Sequence, residues 1–188
     1  ETLLVHGSTG GVGMAAVQLG KYLGATVIAT GTSEEKLEFT KKWGADHTLL
    51  THKDNVVDFR NEVKDITNGK GADVIYDPVG GDVFDHSIRC INWGGRLLVV
   101  GFASGRIPKL SINMALIKGF SVIGVRAGEY GRKDPAAGIE NNNAIRKICE
   151  EGHFLPYVCK EFDLVDAKEA IQFLSERKLV GKVIIKTN

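Results

Sequence analysis

His6-Gly7-Ser8-Thr9-Gly10-Gly11-Val12-Gly13 stands between the apolar run Leu3-Leu4-Val5 and a stretch with helical spacing. A strand that ends in a glycine-rich turn and opens a helix leaves backbone N–H groups unpaired at the positive end of the helix dipole, which suits a bound pyrophosphate. Counted from Ser8, the run reads Ser-x-Gly-x-x-Gly, with Ser8 where the first glycine of the dinucleotide fingerprint usually stands. Gly10 lets the backbone approach the phosphates, and Gly13 lets the helix pack closely on the strand. With no ligand the same run is only a tight turn, so the rest of the sequence has to discriminate.

Position 31 bears on which dinucleotide is bound. NAD-specific domains place Asp or Glu at the end of the second strand, about 20 residues into the fold, to hold the adenosine ribose. Here Gly31 holds that place within Thr30-Gly31-Thr32-Ser33, and Lys36 follows. A missing carboxylate removes repulsion of a 2′-phosphate, and hydroxyls with a nearby ammonium bind it, so NADPH is favoured over NADH. Glu34 and Glu35 pull the other way if either leans toward a ribose, although acids in a first helical turn ordinarily complement the dipole.

The elements that must position these residues follow from periodicity. Val12, Ala15, Leu19 and Leu23 recur at helical spacing and Gly24 stops that helix before the strand Thr26-Val27-Ile28. Ser33 caps a helix to about Trp43; a strand lies near His47–Leu50; Val56, Phe59, Val63 and Ile66 mark a helix closed by Asn68-Gly69. Val74–Tyr76 and Leu97–Val100 are continuous apolar runs, as expected of parallel strands covered on both faces, with a helix near Val83–Ile91 between them. A short helix over Asn113–Lys118 precedes a sixth strand, Ser121–Val125. The expected fold is an α/β, Rossmann-type, doubly wound six-stranded parallel sheet with helices on both faces, and its ligands belong in the crevice beyond the carboxyl ends of the strands.

The 188 residues carry 24 basic and 23 acidic side chains, which gives no electrostatic footprint for nucleic acid or an anionic membrane. No apolar run approaches a membrane span, and no signal peptide is expected ahead of Leu3. Cys90, Cys149 and Cys159 lack the spacing of a disulfide framework or zinc cluster, so a reducing cytoplasm is the expected setting. His6 reads as a packed or hydrogen-bonded histidine rather than a ligand.

Several motifs occur in order: the glycine turn, Trp43-Gly44-Ala45-Asp46, Tyr76-Asp77-Pro78-Val79-Gly80-Gly81, Gly94-Gly95-Arg96, Val100-Gly101-Phe102 and Val180-Gly181-Lys182-Val183. Together they resemble the zinc-independent medium-chain reductases, in particular the NADPH:quinone oxidoreductase or zeta-crystallin-like group. The resemblance covers nearly the whole chain, and its members carry Ala or Ser at the position of Ser8. It implies that residues 1–151 are an NADP-binding domain. Residues 152–188 would then be a segment that returns to a GroES-like catalytic domain preceding this chain. Separated from that domain, the segment either packs on the Rossmann core or is mobile.

Carried over by the resemblance, Gly11 and Val12 meet the pyrophosphate, while Thr30, Ser33 and Lys36 surround the 2′-phosphate. Val79 lies against the cofactor, and Phe102, Ala103 and Arg126 frame the nicotinamide and its ribose. The implied chemistry is hydride transfer to a quinone or enone, with no metal, in a homodimer paired through the edge strand Ser121–Val125. No side chain is assigned a catalytic role, and Ala127–Ala137 is expected to be a loop at the substrate end. Two alternatives stay open: an NADPH-binding module without activity as an isolated chain, and an enoyl-thioester reductase of the same superfamily.

Overall fold

The computed structural model describes residues 1–51, 58–176 and 179–187. Strands β1 (Thr2–Val5), β2 (Thr26–Gly31), β3 (His47–Leu50), β4 (Ala72–Asp77), β5 (Ile91–Val99) and β6 (Ser121–Gly124) form one sheet in the order β3-β2-β1-β4-β5-β6. Every pairing is parallel. Helices α1 (Gly11–Tyr22), α2 (Glu34–Lys41), α3 (Arg60–Ile66), α4 (Gly81–Ser87) and α5 (Asn113–Lys118) connect the strands. The expected six-stranded doubly wound fold is therefore the observed one. Strand order reverses between β1 and β4, the place where such sheets open a ligand crevice.

Alternation along the central strands explains why both faces are covered. Leu4 and Ile28 join one buried cluster with Phe59, Val63, Ile75 and Phe84, whereas Val5, Val27 and Ala29 join Val17 and Leu37 on the other face. Burying each such aliphatic side chain contributes about 2 kcal/mol, so the strand ends that carry the turns are set on a rigid base.

Three expectations need correction. Residues 127–137 are not a loop: α6 (Ala127–Lys133) and α7 (Pro135–Glu150) occupy them, with the Asp134 carboxylate accepting from the Ala137 N–H at 3.0 Å and Pro135 in the first turn of α7. The helix after β4 ends at Ser87, because Ile91 already pairs with Ala72 in β5; the ladder then shifts register before Arg96 pairs with Val74. In α1 the apolar series Val12, Leu19 and Leu23 faces outward, and Met14 and Val17 are buried instead. Val56, expected in the helix before Asn68, lies outside the described residues.

The C-terminal segment forms a two-stranded parallel sheet from β7 (Val158–Asp163) and β8 (Lys182–Lys186), joined by a 3-10 turn at Leu164–Asp166 and α8 (Ala167–Ser175). It packs on the Rossmann core. The Gln18 side chain both donates to the Leu155 carbonyl (3.1 Å) and accepts from its N–H (2.9 Å), and the Tyr157 ring lies 4.6 Å from Phe39 and 5.7 Å from Trp43. Among the described residues, no helix is long and apolar enough to cross a membrane.

Candidate functional site: a dinucleotide crevice

At the end of β1 the sharp reversal falls on Gly7, with φ +58°, a conformation that strains any side chain. The turn's conformational demand is met one residue before Ser8, so position 8 is open to a side chain. Ser8 uses it: fully buried, it directs both its N–H (3.0 Å) and its Oγ–H (2.9 Å) to the Thr30 carbonyl at the end of β2. Helix α1 then starts with Gly10 as its N-cap; among the described residues no side chain caps it, and its first turn holds no acid. The first N–H groups of α1 lie at the positive end of its dipole, a position that favours an anion. Gly13 carries the close approach. A Cβ there would lie 2.2 Å from the Gly7 carbonyl oxygen and 2.7 Å from the Ser8 Cα.

From this turn a crevice of about 610 Å³ runs along the carboxyl ends of the strands. Gly7 and Thr9 form one wall; Thr30, Gly31, Thr32 and Thr51 lie beyond β2 and β3; Val79–Val83 and the loop after β5 close the opposite side. Asp77, at 2% exposure, accepts from the Val79 and Gly80 N–H groups at 2.8 Å each and so turns the chain from β4 into α4. The following loop is zipped to that turn: Ala103 N–H donates to the Pro78 carbonyl (3.0 Å), Ser104 N–H to that of Val79 (2.9 Å), and Gly81 N–H to that of Arg106 (3.1 Å). The Arg106 guanidinium spans Asp82 (2.7 Å) and Asp85 on α4.

The crevice gathers some of the expected residues and not others. Thr30, Val79 and Ala103 line it. Thr30 is buried and its hydroxyl lies 2.8 Å from His6 Nδ1, so its hydrogen bond runs inward. Ser33 caps α2, its Oγ accepting from the Lys36 N–H at 3.5 Å, and Lys36 Nζ donates to the Leu179 carbonyl at 3.2 Å. Val12 is half-exposed on α1, Phe102 sets its ring edge beside Gly80, and neither lines the crevice. Arg126 stands apart, its side chain 84% exposed and 3.7 Å from Glu129.

Two basic residues escaped notice in the sequence. Arg106 has no local signature, because the acids it joins lie on a helix 24 and 21 residues away. Lys182 reaches the turn through the C-terminal segment: Gly181 N–H donates to the Thr9 carbonyl at 2.8 Å, Gly10 and Gly181 form a parallel bridge, and Lys182 Nζ lies 3.1 Å from where a Cβ on Gly11 would stand. The signal for Lys182 was its place in Val180-Gly181-Lys182-Val183, which fixed order in the chain but not proximity to Gly11. Among the described residues, no group of three or more His, Cys, Asp or Glu side chains is placed to hold a metal ion.

A parallel sheet of this strand order, with an uncapped glycine-turn helix opening onto a crevice at the topological switch, defines an NAD(P)-binding domain of the Rossmann type. The chain belongs to the zinc-binding dehydrogenase family, whose sequence model matches residues 11–141. A quinone oxidoreductase-like protein 2 homolog from Nematostella vectensis is 35% identical over 188 residues, 100% of this chain and 51% of that protein. A mycobacterial protein solved in complex with NADPH superposes with TM-score 0.88 at 28% identity, covering 100% of this chain and 57% of the other. The Escherichia coli quinone oxidoreductase complexed with NADPH gives TM-score 0.85 at 27% identity, over 99% and 57% respectively. The chain spans about half the length of each of these relatives.

Proposed function

We propose that this chain holds NADPH in the crevice for hydride transfer to an electron-poor conjugated carbonyl, a quinone or an enone. The observation that carries this reading is the uncapped N-terminus of α1 seated against the β1 turn at Gly13, at the mouth of a crevice whose far loop presents Gly31 in place of a carboxylate. Gly10, Gly11 and Val12 offer backbone to the pyrophosphate, and Lys182 adds a cation beside them. Ser33 and Lys36 serve the 2′-phosphate, with Thr30 contributing position rather than its hydroxyl proton. Val79, Phe102 and Ala103 belong to the nicotinamide end, and Arg126 to the substrate side of it. The bound nicotinamide supplies the hydride; the protein orients it and keeps water away.

Residues 1–151 constitute the cofactor domain in this reading, and residues 152–188 the segment that returns to a catalytic domain, in a cytoplasmic enzyme. The same reading makes β6 a dimer contact. It is an edge strand with Val122 and Ile123 about 40% exposed, and its open backbone suits antiparallel pairing with a second copy. Ile123→Asp is expected to sediment as a monomer where the unaltered chain is a dimer; a dimer unchanged by the substitution would rule the contact out.

Calorimetric titration tests the cofactor assignment. NADPH is expected to bind at least about tenfold more tightly than NADH, the size of effect a charge-assisted phosphate contact supplies. Equal affinities, or a preference for NADH, would end the 2′-phosphate assignment, and binding of neither would end the cofactor reading.

A further inference from the structure

His6 is 1% exposed, lies outside the crevice lining and has both ring nitrogens engaged. Its protonation pattern follows from its partners. Ser87 Oγ donates its one proton to the Val83 carbonyl at 2.7 Å, so toward His6 Nε2, also 2.7 Å away, it only accepts. Nε2 therefore carries the ring proton and Nδ1 is bare. Thr30 Oγ1, 2.8 Å from Nδ1, must donate to it. Among the described residues no buried side-chain polar atom is left without a partner.

Thr30 is consequently held at both of its oxygens. Its hydroxyl is fixed by His6, and its carbonyl receives the Ser8 N–H and Ser8 Oγ–H. That carbonyl joins the pyrophosphate turn to the end of β2, the start of the ribose loop. A dinucleotide has to reach both places at once, so their separation matters to it.

We infer that His6 is a positioning residue for the cofactor: Ser87 fixes its tautomer, and its bare Nδ1 anchors Thr30 so that the pyrophosphate turn and the ribose loop keep the spacing a dinucleotide needs. This rests on the cofactor reading above. The consequence is a selective effect. Loss of the Thr30 anchor weakens a ligand that spans both seats and spares one that occupies the ribose loop alone.

Three variants separate this from simple packing. Asn retains an oxygen acceptor near the Nδ1 position, Gln retains an amide donor near Nε2, and Leu retains neither. By calorimetry His6→Leu is expected to weaken NADPH about tenfold while changing adenosine 2′-monophosphate by less than about twofold, the scale of one lost buried hydrogen bond acting on one ligand only. His6→Asn is expected to stay within about threefold of the unaltered chain for NADPH, and His6→Gln to fall with Leu. Packing alone would make Asn, the smallest, the poorest binder. The inference is overturned if His6→Leu binds NADPH normally, if both ligands weaken equally, or if Asn binds worse than Gln; that last ranking decides the matter even if the Leu variant is recovered unfolded. Failure of the unaltered chain to bind NADPH would instead sink the cofactor reading.

Discussion

Gly13→Ala is expected to lower the melting temperature by about 6–12 °C, from a loss of about 3 kcal/mol, and to weaken NADPH by at least about a hundredfold. The added methyl group would sit 2.2 Å from the Gly7 carbonyl oxygen and 2.8 Å from its carbonyl carbon. Both are backbone atoms of the turn that follows β1, and no rotamer change relieves the overlap. Either α1 lifts from the end of β1 or the turn is rebuilt, and each outcome moves the N–H groups of Gly11 and Val12 away from the turn. The helix propensity gained from alanine, about 1 kcal/mol, is too small to offset the clash. Gly128→Ala supplies the control: in α6 its Cβ meets nothing within 4 Å, so stability should hold or rise slightly. Melting of the Gly13→Ala chain within a degree of the unaltered one would show that the close approach at Gly13 is not tight.

The contrast between these two glycines also shows which parts of the molecule the sequence discloses. Strands β1, β2 and β3 and the turn at Gly7–Gly13 were legible because their signals are local: an apolar run, then a glycine-rich turn, then a helix. The face of α1 was not. Val12, Leu19 and Leu23 recur as regularly as Met14 and Val17, and what decides between the two stripes is Gly13 and Gly20, whose missing side chains let that side of the helix approach β1. Helices α6 and α7 bury no residue, so no core-facing stripe announced them. Asp134-Pro135 is the local start signal of α7, a capping carboxylate followed by proline in the first turn. In the site, the phosphate end was legible and its supports were not. His6 and Ser87 are 81 residues apart, and Lys182 comes to Gly11 only because Gly181 bridges Gly10. Contacts of that range follow from the docking of whole elements, which periodicity does not report.

The buried His6 ring carries the second large effect, this time on stability. Burial without charge holds its pKa down at about 4 from 6.5, desolvation outweighing the opposing pull of the Asp77 carboxylate. The folded chain thus keeps His6 neutral where the unfolded chain takes up a proton. Between pH 6.5 and pH 4 the unfolded state binds more protons, so stability must rise with pH in that window and fall on acidification. The full contribution is present above pH 6.5, and on the order of 3 kcal/mol is lost by pH 4. The acid partners act elsewhere on the scale: Asp58, held below the usual carboxylate range by its hydrogen bond with Arg60, gives up its contribution only at lower pH. Urea unfolding at intervals from pH 7 to 4.5 is expected to show a falling midpoint in the unaltered chain and a much shallower fall in His6→Leu, which has no proton to take up. A flat midpoint in the unaltered chain, or equal slopes in the two, would mean that the folded state accommodates the imidazolium. Protonation would also put a hydrogen on Nδ1, facing the Thr30 hydroxyl proton, so the group that costs stability at low pH is the one that would release Thr30. In the folded chain His6 takes up that proton only near pH 4, so its effect on cofactor affinity should appear there, at the acid end of the window in which stability falls, and be absent in His6→Asn, whose amide does not titrate.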